Sequence, residues 1–215
     1  MPGSADAIKA SMMNTILGGG GFNARLMQNI REDKGWTYGA YSSLASDELV
    51  GYFNATAKVR NDVTDSAVVE FLKEMQRMID EDIDEELLQL TKNKLTGSFG
   101  RSLESPQTVA GFALNIARYN LSADYYETYL QKVEAVTVAD IKAMAKKYIR
   151  PENAHILIVG SASELKSKMK QFGAVTQYDS YGEEVEEDAT ALPADLTAEK
   201  VIERYLAARG GRDKV

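Results

Sequence analysis

The stretch LGGGGFNARLMQNIREDKGWTYGAYSSL, residues 17–44, decides how this chain folds. It opens on a run of glycines, after which Phe22, Leu26 and Ile30 recur every four positions, a spacing typical of an amphipathic helix. Gly35 then lets the backbone turn, and a segment of aromatic and small residues begins at Tyr38. The stretch therefore predicts a glycine corner, a helix, a turn and a strand in immediate succession.

The neighbouring sequence adds a helix before this stretch and a hairpin at its end. Residues 5–17 carry apolar side chains near helical spacing and predict a helix that stops at Gly18. Residues 38–46 and 51–59 alternate in side-chain character and predict two antiparallel strands. In the second strand the side chains that should share the helix-facing side are Phe53, Ala55, Ala57 and Val59.

The remainder of the chain is mostly helical. Residues 62–148 predict successive helices, with start signals at Pro106, Asp124 and the Thr137–Asp140 pair. The β-branched run NAHILIVG, residues 153–160, predicts a closing strand, and residues 161–173 predict a further helix. We therefore expect an α+β fold in which helices pack on one face of an antiparallel sheet.

Composition excludes several classes of function. The chain has 215 residues and a net charge of −7, so we expect no nucleic-acid partner. No apolar run approaches the roughly 20 residues that span a bilayer, so we expect no membrane insertion. There is no cysteine and a single histidine, His155, which excludes disulfides and a self-contained His-x-x-Glu-His zinc site. We interpret His155 as a strand histidine rather than a catalytic one.

Arg31 and Tyr38 are the candidate functional residues. Arg31 lies on the flank of the apolar stripe, while the outer face of the same helix carries Arg25, Gln28, Asn29 and Glu32. Its guanidinium and the Tyr38 phenol can converge as two hydrogen-bond donors. The alternative is that Arg31 pairs with an acidic neighbour and Tyr38 is an ordinary strand tyrosine.

The glycine run allows two interpretations. A phosphate-binding loop would need a preceding strand and a following Gly-Lys-Ser or Gly-Lys-Thr, and the sequence has neither. We therefore read the run as a helix corner or as the lip of a cavity. The candidate lip consists of Gly18, Gly19, Gly20, Gly21 and Phe22.

These residues resemble the second domain of the pitrilysin/insulinase zinc metallopeptidases, the inverzincins. The resemblance rests on the Leu-Gly-Gly run, Phe22, Arg25-Leu26, Ile30-Arg31-Glu32, Gly35 and Tyr38, and on the later segments 102–114 and 137–160. In that family a first domain holds zinc through His-x-x-Glu-His, and the second domain closes over it. The second domain lends the substrate an arginine and a tyrosine seven residues apart, as Arg31 and Tyr38 are here.

The resemblance implies a function for the chain as half of an enzyme. Zinc is expected in a missing N-terminal domain, and this chain is expected to hold no cofactor and to be inactive alone. Its expected partners are the homologous zinc-binding domain and a peptide or protein substrate, with self-association of the fragment as a further expectation. The alternative is a non-catalytic scaffold or peptide-binding subunit of the same fold. A third alternative is an unrelated α+β binding module.

The resemblance also predicts the division of the chain. Residues 1–178 form the substrate-contacting domain, without the strands that precede its first helix in the family. Residues 179–196 are an acidic linker, and residues 197–215 begin a further module with a short helix. That module weakly resembles one appended to bacterial envelope peptidases, which leaves the compartment open but favours the periplasm or cell envelope for the parent protein.

Overall fold

The computed structural model describes residues 3–46, 50–185 and 196–210. The chain divides into two compact units, Met1–Ser161 and Ala162–Val215. Residues 47–49 of the predicted hairpin connection and 186–195 of the predicted acidic linker lie outside the described residues. The functional boundaries at residues 178 and 196 therefore stay a prediction.

The first unit consists of helices around one hairpin. Its α-helices are α1 (Ala7–Asn14), α2 (Thr64–Asp80), α3 (Glu85–Ser102), α4 (Pro106–Arg118), α5 (Tyr129–Glu134) and α6 (Val138–Tyr148). Its strands are β1 (Thr37–Ser46) and β2 (Gly51–Val59). Wider π-helical segments, Thr15–Gly19 and Met27–Asp33, follow α1 and precede β1. Short 3₁₀ turns are Gly21–Asn23, Asn61–Val63 and Pro151–Asn153. The predicted α+β fold is confirmed.

The sheet of the described residues is the predicted hairpin. β1 and β2 pair antiparallel, with Ser42 opposite Ala55 and Leu44 opposite Phe53. Phe53, Ala55 and Ala57 are partly buried against the helical core, as the alternation along β2 predicts. The sheet therefore presents one face to the helices.

The helices of the first half meet around a core of Met, Ile and Leu side chains. Its largest fully buried members include Met12, Ile16, Leu26, Ile30 and Met78. Ile16 and Ile30 come from the helices on either side of the glycine run, so that run joins two elements that share the core. The helical spacing of apolar residues in the sequence is sufficient to predict that Leu26 and Ile30 are buried.

Local sequence signals predict the start of α6 correctly but not the start of α5. The capping box at α6 is confirmed, since the Thr137 side chain accepts from the Asp140 amide and Asp140 accepts from the Thr137 amide. The predicted start at Asp124 is wrong, because α5 begins at Tyr129. Residues before it form turns in which the Tyr126 ring stacks on Phe112 of α4, with ring centroids 3.8 Å apart. Packing across the chain overrides the local start signal.

The predicted strand NAHILIVG is not a strand. Residues 154–159 are in no helix or ladder of the described residues, and Leu157 and Val159 are 85% and 93% exposed. A β-branched run becomes a strand only where a neighbouring strand completes its hydrogen bonds. The described sheet contains only β1 and β2. This segment therefore retains the composition of a strand without its pairing.

The described residues of the second unit include two α-helices and the short 3₁₀ turn Lys170–Phe172. α7 spans Ala162–Met169 and α8 spans Ala198–Ala208. Between them Tyr178 and Glu184 form an antiparallel bridge, closed by the Asp179 carboxylate, which accepts from two backbone amides. In α8, Val201, Ile202 and Tyr205 are about half exposed. Among the described residues of the whole chain, none of the helices has the length and apolar character that crossing a membrane requires.

The glycine corner gives a first testable prediction, because the backbone at Gly18 touches the sheet. A Cβ atom there would lie 2.4 Å from the Ser42 amide nitrogen and 2.9 Å from Leu26 Cδ1. We expect Gly18→Ala to lower the free energy of unfolding by about 2 kcal/mol, as measured by urea denaturation followed by circular dichroism. The matched control is Gly111→Ala within α4, where a Cβ meets nothing within 4 Å. That change should instead stabilise by about 0.5–1 kcal/mol, and equal effects of both would contradict the prediction.

Candidate functional site

Arg31 and Tyr38 lie together on one exposed face of the first unit. The Arg31 guanidinium carbon is 5.2 Å from the centroid of the Tyr38 ring and 4.6 Å from the centroid of the Phe22 ring. The Tyr38 residue is 87% exposed, whereas the Arg31 side chain is only 25% exposed. We call these three residues the Arg31 cluster. It places a cation against two aromatic rings, an arrangement that restrains the guanidinium.

The turn at Gly35 brings the arginine and the tyrosine together. Arg31 lies on the last turn of the Met27–Asp33 helix, and Gly35 follows with φ +64°, a left-handed conformation that glycine adopts without strain. The Gly35 amide donates to the Arg31 carbonyl at 2.9 Å, and the Trp36 amide donates to the Ile30 carbonyl at 3.1 Å. The helix therefore ends in a capped turn that leads directly into β1.

An irregularity in the sheet aims Tyr38 outward. The pairing of β1 with β2 shifts between Thr37 and Ala40, so Tyr38 lies where the ladder is interrupted. Thr37 Oγ1 lies 2.9 Å from the Gly39 carbonyl oxygen and 2.8 Å from the Lys58 carbonyl oxygen, so its hydroxyl can donate to either one at the shift. The absence of a side chain at Gly39 lets the Tyr41 ring lie over its backbone, since a Cβ there would be 2.4 Å from the Tyr41 hydroxyl.

Phe22 has a position that the helical pattern does not predict. The prediction that it continues the buried stripe of Leu26 and Ile30 is wrong, because Phe22 is 62% exposed. The reason is local: Gly21 has φ +70° and the 3₁₀ turn Gly21–Asn23 precedes the helix, so Phe22 is outside the helical register. Its contact with Arg31 joins residues nine positions apart, and no periodic signal marks it.

The glycine run, predicted as the lip of a cavity, forms a helix corner that close packing and hydrogen bonds fix in place. Gly20 leaves no room for a side chain, since a Cβ would lie 2.4 Å from the Thr15 carbonyl oxygen. The Lys94 amine of α3 donates to the Gly20 carbonyl. The Ser42 hydroxyl donates to Asn14 Oδ1 at 2.8 Å, which ties α1 to β1. These contacts anchor the backbone before and after Phe22.

Arg31 also forms the ion pair with an acidic neighbour that the alternative interpretation of the sequence predicts. Arg31 Nη1 lies 3.3 Å from Glu32 Oε1, and the Glu32 side chain is 47% exposed. An ion pair of this exposure contributes little because water screens it. Arg31 therefore makes both the ion pair and the aromatic contacts, and the guanidinium remains on the surface beside Tyr38.

Arg25 and Asn29 are not on an outer face, which corrects the sequence interpretation. Both side chains donate at 2.9 Å to the Glu74 carboxylate of α2, and Glu74 is only 2% exposed. Arg77 donates to the same carboxylate at 2.9 Å. Burial alone would raise the pKa of nearby Glu70, but a hydrogen bond from Asn29 and adjacent lysines bring it below its usual value. We call Arg25, Asn29, Glu74 and Arg77 the Glu74 network, and it packs the site-bearing helix on α2.

Residues 3–46, 50–185 and 196–210 contain no group of three or more His, Cys, Asp or Glu side chains that could hold a metal ion. His155 lies in the extended segment described above and is exposed. The chemistry that the described site offers is therefore hydrogen-bond donation and cation–aromatic contact.

Comparison with solved structures gives the class of protein first. A peptidase M16 inactive domain from Pseudomonas fluorescens is 28% identical with a TM-score of 0.65, over 69% of this chain and 35% of that one. An inactive peptidase domain from Bordetella parapertussis shares the fold at 18% identity and a TM-score of 0.59, over 71% of this chain and 82% of that one. A protease from Helicobacter pylori does so at 20% identity and a TM-score of 0.56, over 68% of this chain and 35% of that one. The fold is therefore that of an inactive peptidase domain.

The sequence match agrees with this class. Residues 2–95 match the family model described as the peptidase M16 inactive domain. This match confirms the resemblance to a C-terminal domain without zinc of the M16, or pitrilysin, peptidase family. The chain spans about a third, 35%, of the length of the Pseudomonas structure. A search among proteins with curated descriptions gave no match.

Proposed function

We propose that this chain is the non-zinc half of a zinc metalloendopeptidase. In this proposal Arg31 and Tyr38 bind the substrate backbone and donate hydrogen bonds to the scissile carbonyl as charge develops on its oxygen. A homologous zinc-binding domain supplies the metal, which activates water when bound there. The observation that carries the proposal is the contact of the Arg31 guanidinium with the exposed Tyr38 ring, 5.2 Å to its centroid, beside a capped turn and a shifted strand.

The chemistry of the pair supports this role. Attack on a peptide carbonyl converts it to a tetrahedral species with a negatively charged oxygen, and fixed donors near that oxygen lower the barrier. A guanidinium offers several N–H groups and the Tyr38 phenol offers one O–H. The Phe22 ring covers part of the guanidinium and reduces the conformations that Arg31 samples.

The exposure of the Arg31 cluster supports the proposal that a second domain closes over it. Tyr38 and Phe22 are 87% and 62% exposed. Donors act most strongly on developing charge where water is excluded. We therefore expect that the site is complete only when the homologous domain covers this face.

Reconstitution tests the proposal. The zinc-binding homologous domain from the same organism is purified alone and mixed with this chain, and cleavage of a fluorogenic peptide is measured against chain concentration. We expect this chain alone to be inactive and the mixture to be at least about 100-fold more active than the zinc domain alone, because one missing donor already costs about that factor. If the two bind without any gain in activity, the scaffold or peptide-binding alternative is supported instead.

A further inference from the structure

The irregularity in the hairpin places Lys58 beside Tyr38. The ladder pairs on either side of the irregularity are Thr37 with Val59 and Ala40 with Ala57. Between them two residues of β1, Tyr38 and Gly39, are opposite the single residue Lys58 of β2. Two residues opposite one form a β-bulge, a feature that redirects side chains and is frequent beside functional sites. Lys58 is therefore the cross-strand neighbour of the tyrosine in the Arg31 cluster.

Lys58 lies on the same face of the hairpin as Tyr38. Side chains alternate along β2, and Ala55 and Ala57 are partly buried against the helical core, whereas Lys58 is exposed. Tyr38 is 87% exposed, so it also belongs to the outward face. Cross-strand neighbours on one face have Cβ atoms about 5 Å apart. The Lys58 amine can therefore reach the space next to the Tyr38 phenol.

Lys58 is a cation whose charge the described residues do not balance. The Arg31 guanidinium lies 3.3 Å from the Glu32 carboxylate, and Arg60, two residues after Lys58, lies 3.2 Å from Asp62. Lys58 itself forms no ion pair and no side-chain hydrogen bond within residues 3–46, 50–185 and 196–210. The chain has a net charge of −7, so a lysine without a carboxylate partner runs against its overall composition.

The other outward positions of the described ladder are uncharged. On β2 they are exposed side chains, namely Tyr52, Asn54 and Thr56. Opposite them on β1 are Ala45, Ser43 and Tyr41. A peptide that lies along this face therefore meets hydroxyl, amide and aromatic groups over most of the ladder, and a positive charge at the end where Lys58 lies beside Tyr38.

We propose that Lys58 determines substrate specificity by binding the carboxylate of an Asp or Glu side chain within two residues of the scissile bond. This inference rests on the proposed function and adds the class of substrate. An extended peptide advances about 3.3 Å per residue. A side chain one or two residues from a carbonyl held by Arg31 and Tyr38 is therefore within reach of the Lys58 amine. A basic side chain there would be repelled, and a neutral one would leave the amine without a charged partner.

Matched peptides measure the preference for an acidic residue. A fluorogenic peptide is made with Glu, Gln or Lys at each of the two positions on either side of the scissile bond. At one of these positions we expect the reconstituted peptidase to prefer Glu over Gln by about tenfold in kcat/KM, the scale of a charge-assisted contact. We expect the Lys peptide to be the poorest substrate at that position. Equal kcat/KM values for Glu and Gln at all four positions would overturn the inference.

Variants assign the preference to Lys58. Lys58→Met keeps the aliphatic part of the side chain and should bring the ratio of kcat/KM between the Glu and Gln peptides to about one, because the charge is gone. Lys58→Arg should retain the preference, and Lys58→Glu should shift it to the Lys peptide. Lys146→Met removes an exposed lysine of α6 and is the matched control. Thermal melts check that each variant folds, and an unchanged ratio in folded Lys58→Met would contradict the assignment.

Direct binding separates this inference from the proposed function. The same peptides, labelled and with the scissile amide reduced, are titrated with this chain alone and followed by fluorescence anisotropy. We expect the Glu peptide to bind about threefold more tightly than the Gln peptide, a smaller factor because water screens the contact on the open face. Lys58→Met should remove the difference.

The two measurements together give distinct outcomes. If the mixture with the zinc-binding domain is inactive but the Lys58-dependent difference in binding is present, the proposed function fails and the carboxylate site stands. If the mixture is active but neither measurement distinguishes Glu from Gln, the proposed function stands and the role of Lys58 is rejected. If there is neither activity nor a charge-dependent difference in binding, both are rejected.

Discussion

We expect the replacement of Arg31 with alanine to lower kcat of the proposed reconstituted peptidase by about 100- to 1,000-fold and to leave KM within a few-fold. The factor follows from the loss of one donor to the developing oxyanion, which commonly costs about 3–4 kcal/mol of barrier. An interaction made mainly in the transition state affects kcat rather than KM. Steady-state kinetics on a fluorogenic peptide, with the zinc-binding homologous domain in excess, measure both constants.

Further variants distinguish an effect on catalysis from an effect on the stability of the chain. Tyr38→Phe keeps the ring beside Arg31 and removes only the hydroxyl, so it should lower kcat without changing the thermal melt of the chain. Phe22→Leu keeps both donors but removes one ring from Arg31 and should give a smaller loss. Arg60→Ala removes a 63% exposed arginine side chain that pairs with Asp62, and serves as the matched control. Wild-type turnover in folded Arg31→Ala would reject the assignment of this donor.

The sequence predicts the parts of the fold that depend on local patterns. The hairpin, the α6 capping box and the buried positions Leu26 and Ile30 follow from side-chain periodicity and short-range hydrogen bonds. The proximity of Arg31 and Tyr38 follows in the same way, because the helix end, the glycine turn and the strand start are consecutive in the chain.

The features that the sequence does not predict depend on distant partners. The start of α5 is set by the stacking of Tyr126 on Phe112, and residues 154–159 fail to form a strand because a ladder needs a neighbour. Phe22 contacts Arg31 across a turn outside the helical period. Arg25 reaches Glu74 across 49 positions. None of these pairings leaves a periodic trace in the sequence.

The Glu74 network gives the largest expected effect on stability. Glu74 is 2% exposed and accepts from Arg25, Asn29 and Arg77, while Arg25 Nη2 is buried with no hydrogen-bond acceptor among the described residues. Removing the carboxylate leaves the Arg25 guanidinium largely buried without its main counter-charge. We expect Glu74→Ala to lower the free energy of unfolding by about 3–5 kcal/mol, as measured by urea denaturation at neutral pH.

A matched control and a double variant show that the cost comes from an uncompensated charge. Glu81→Ala removes a carboxylate that pairs with Arg77 and, at 3.7 Å, with Arg25 Nη2, but its side chain is 50% exposed, so it should cost much less. Replacing both partners, Glu74→Leu with Arg25→Met, removes the buried charges together and should recover most of the stability lost in Glu74→Leu alone. If the double variant is instead as unstable as the sum of the single variants, the two side chains do not act as a pair. The helix that carries Arg31 would then be held on α2 by its apolar face rather than by this network.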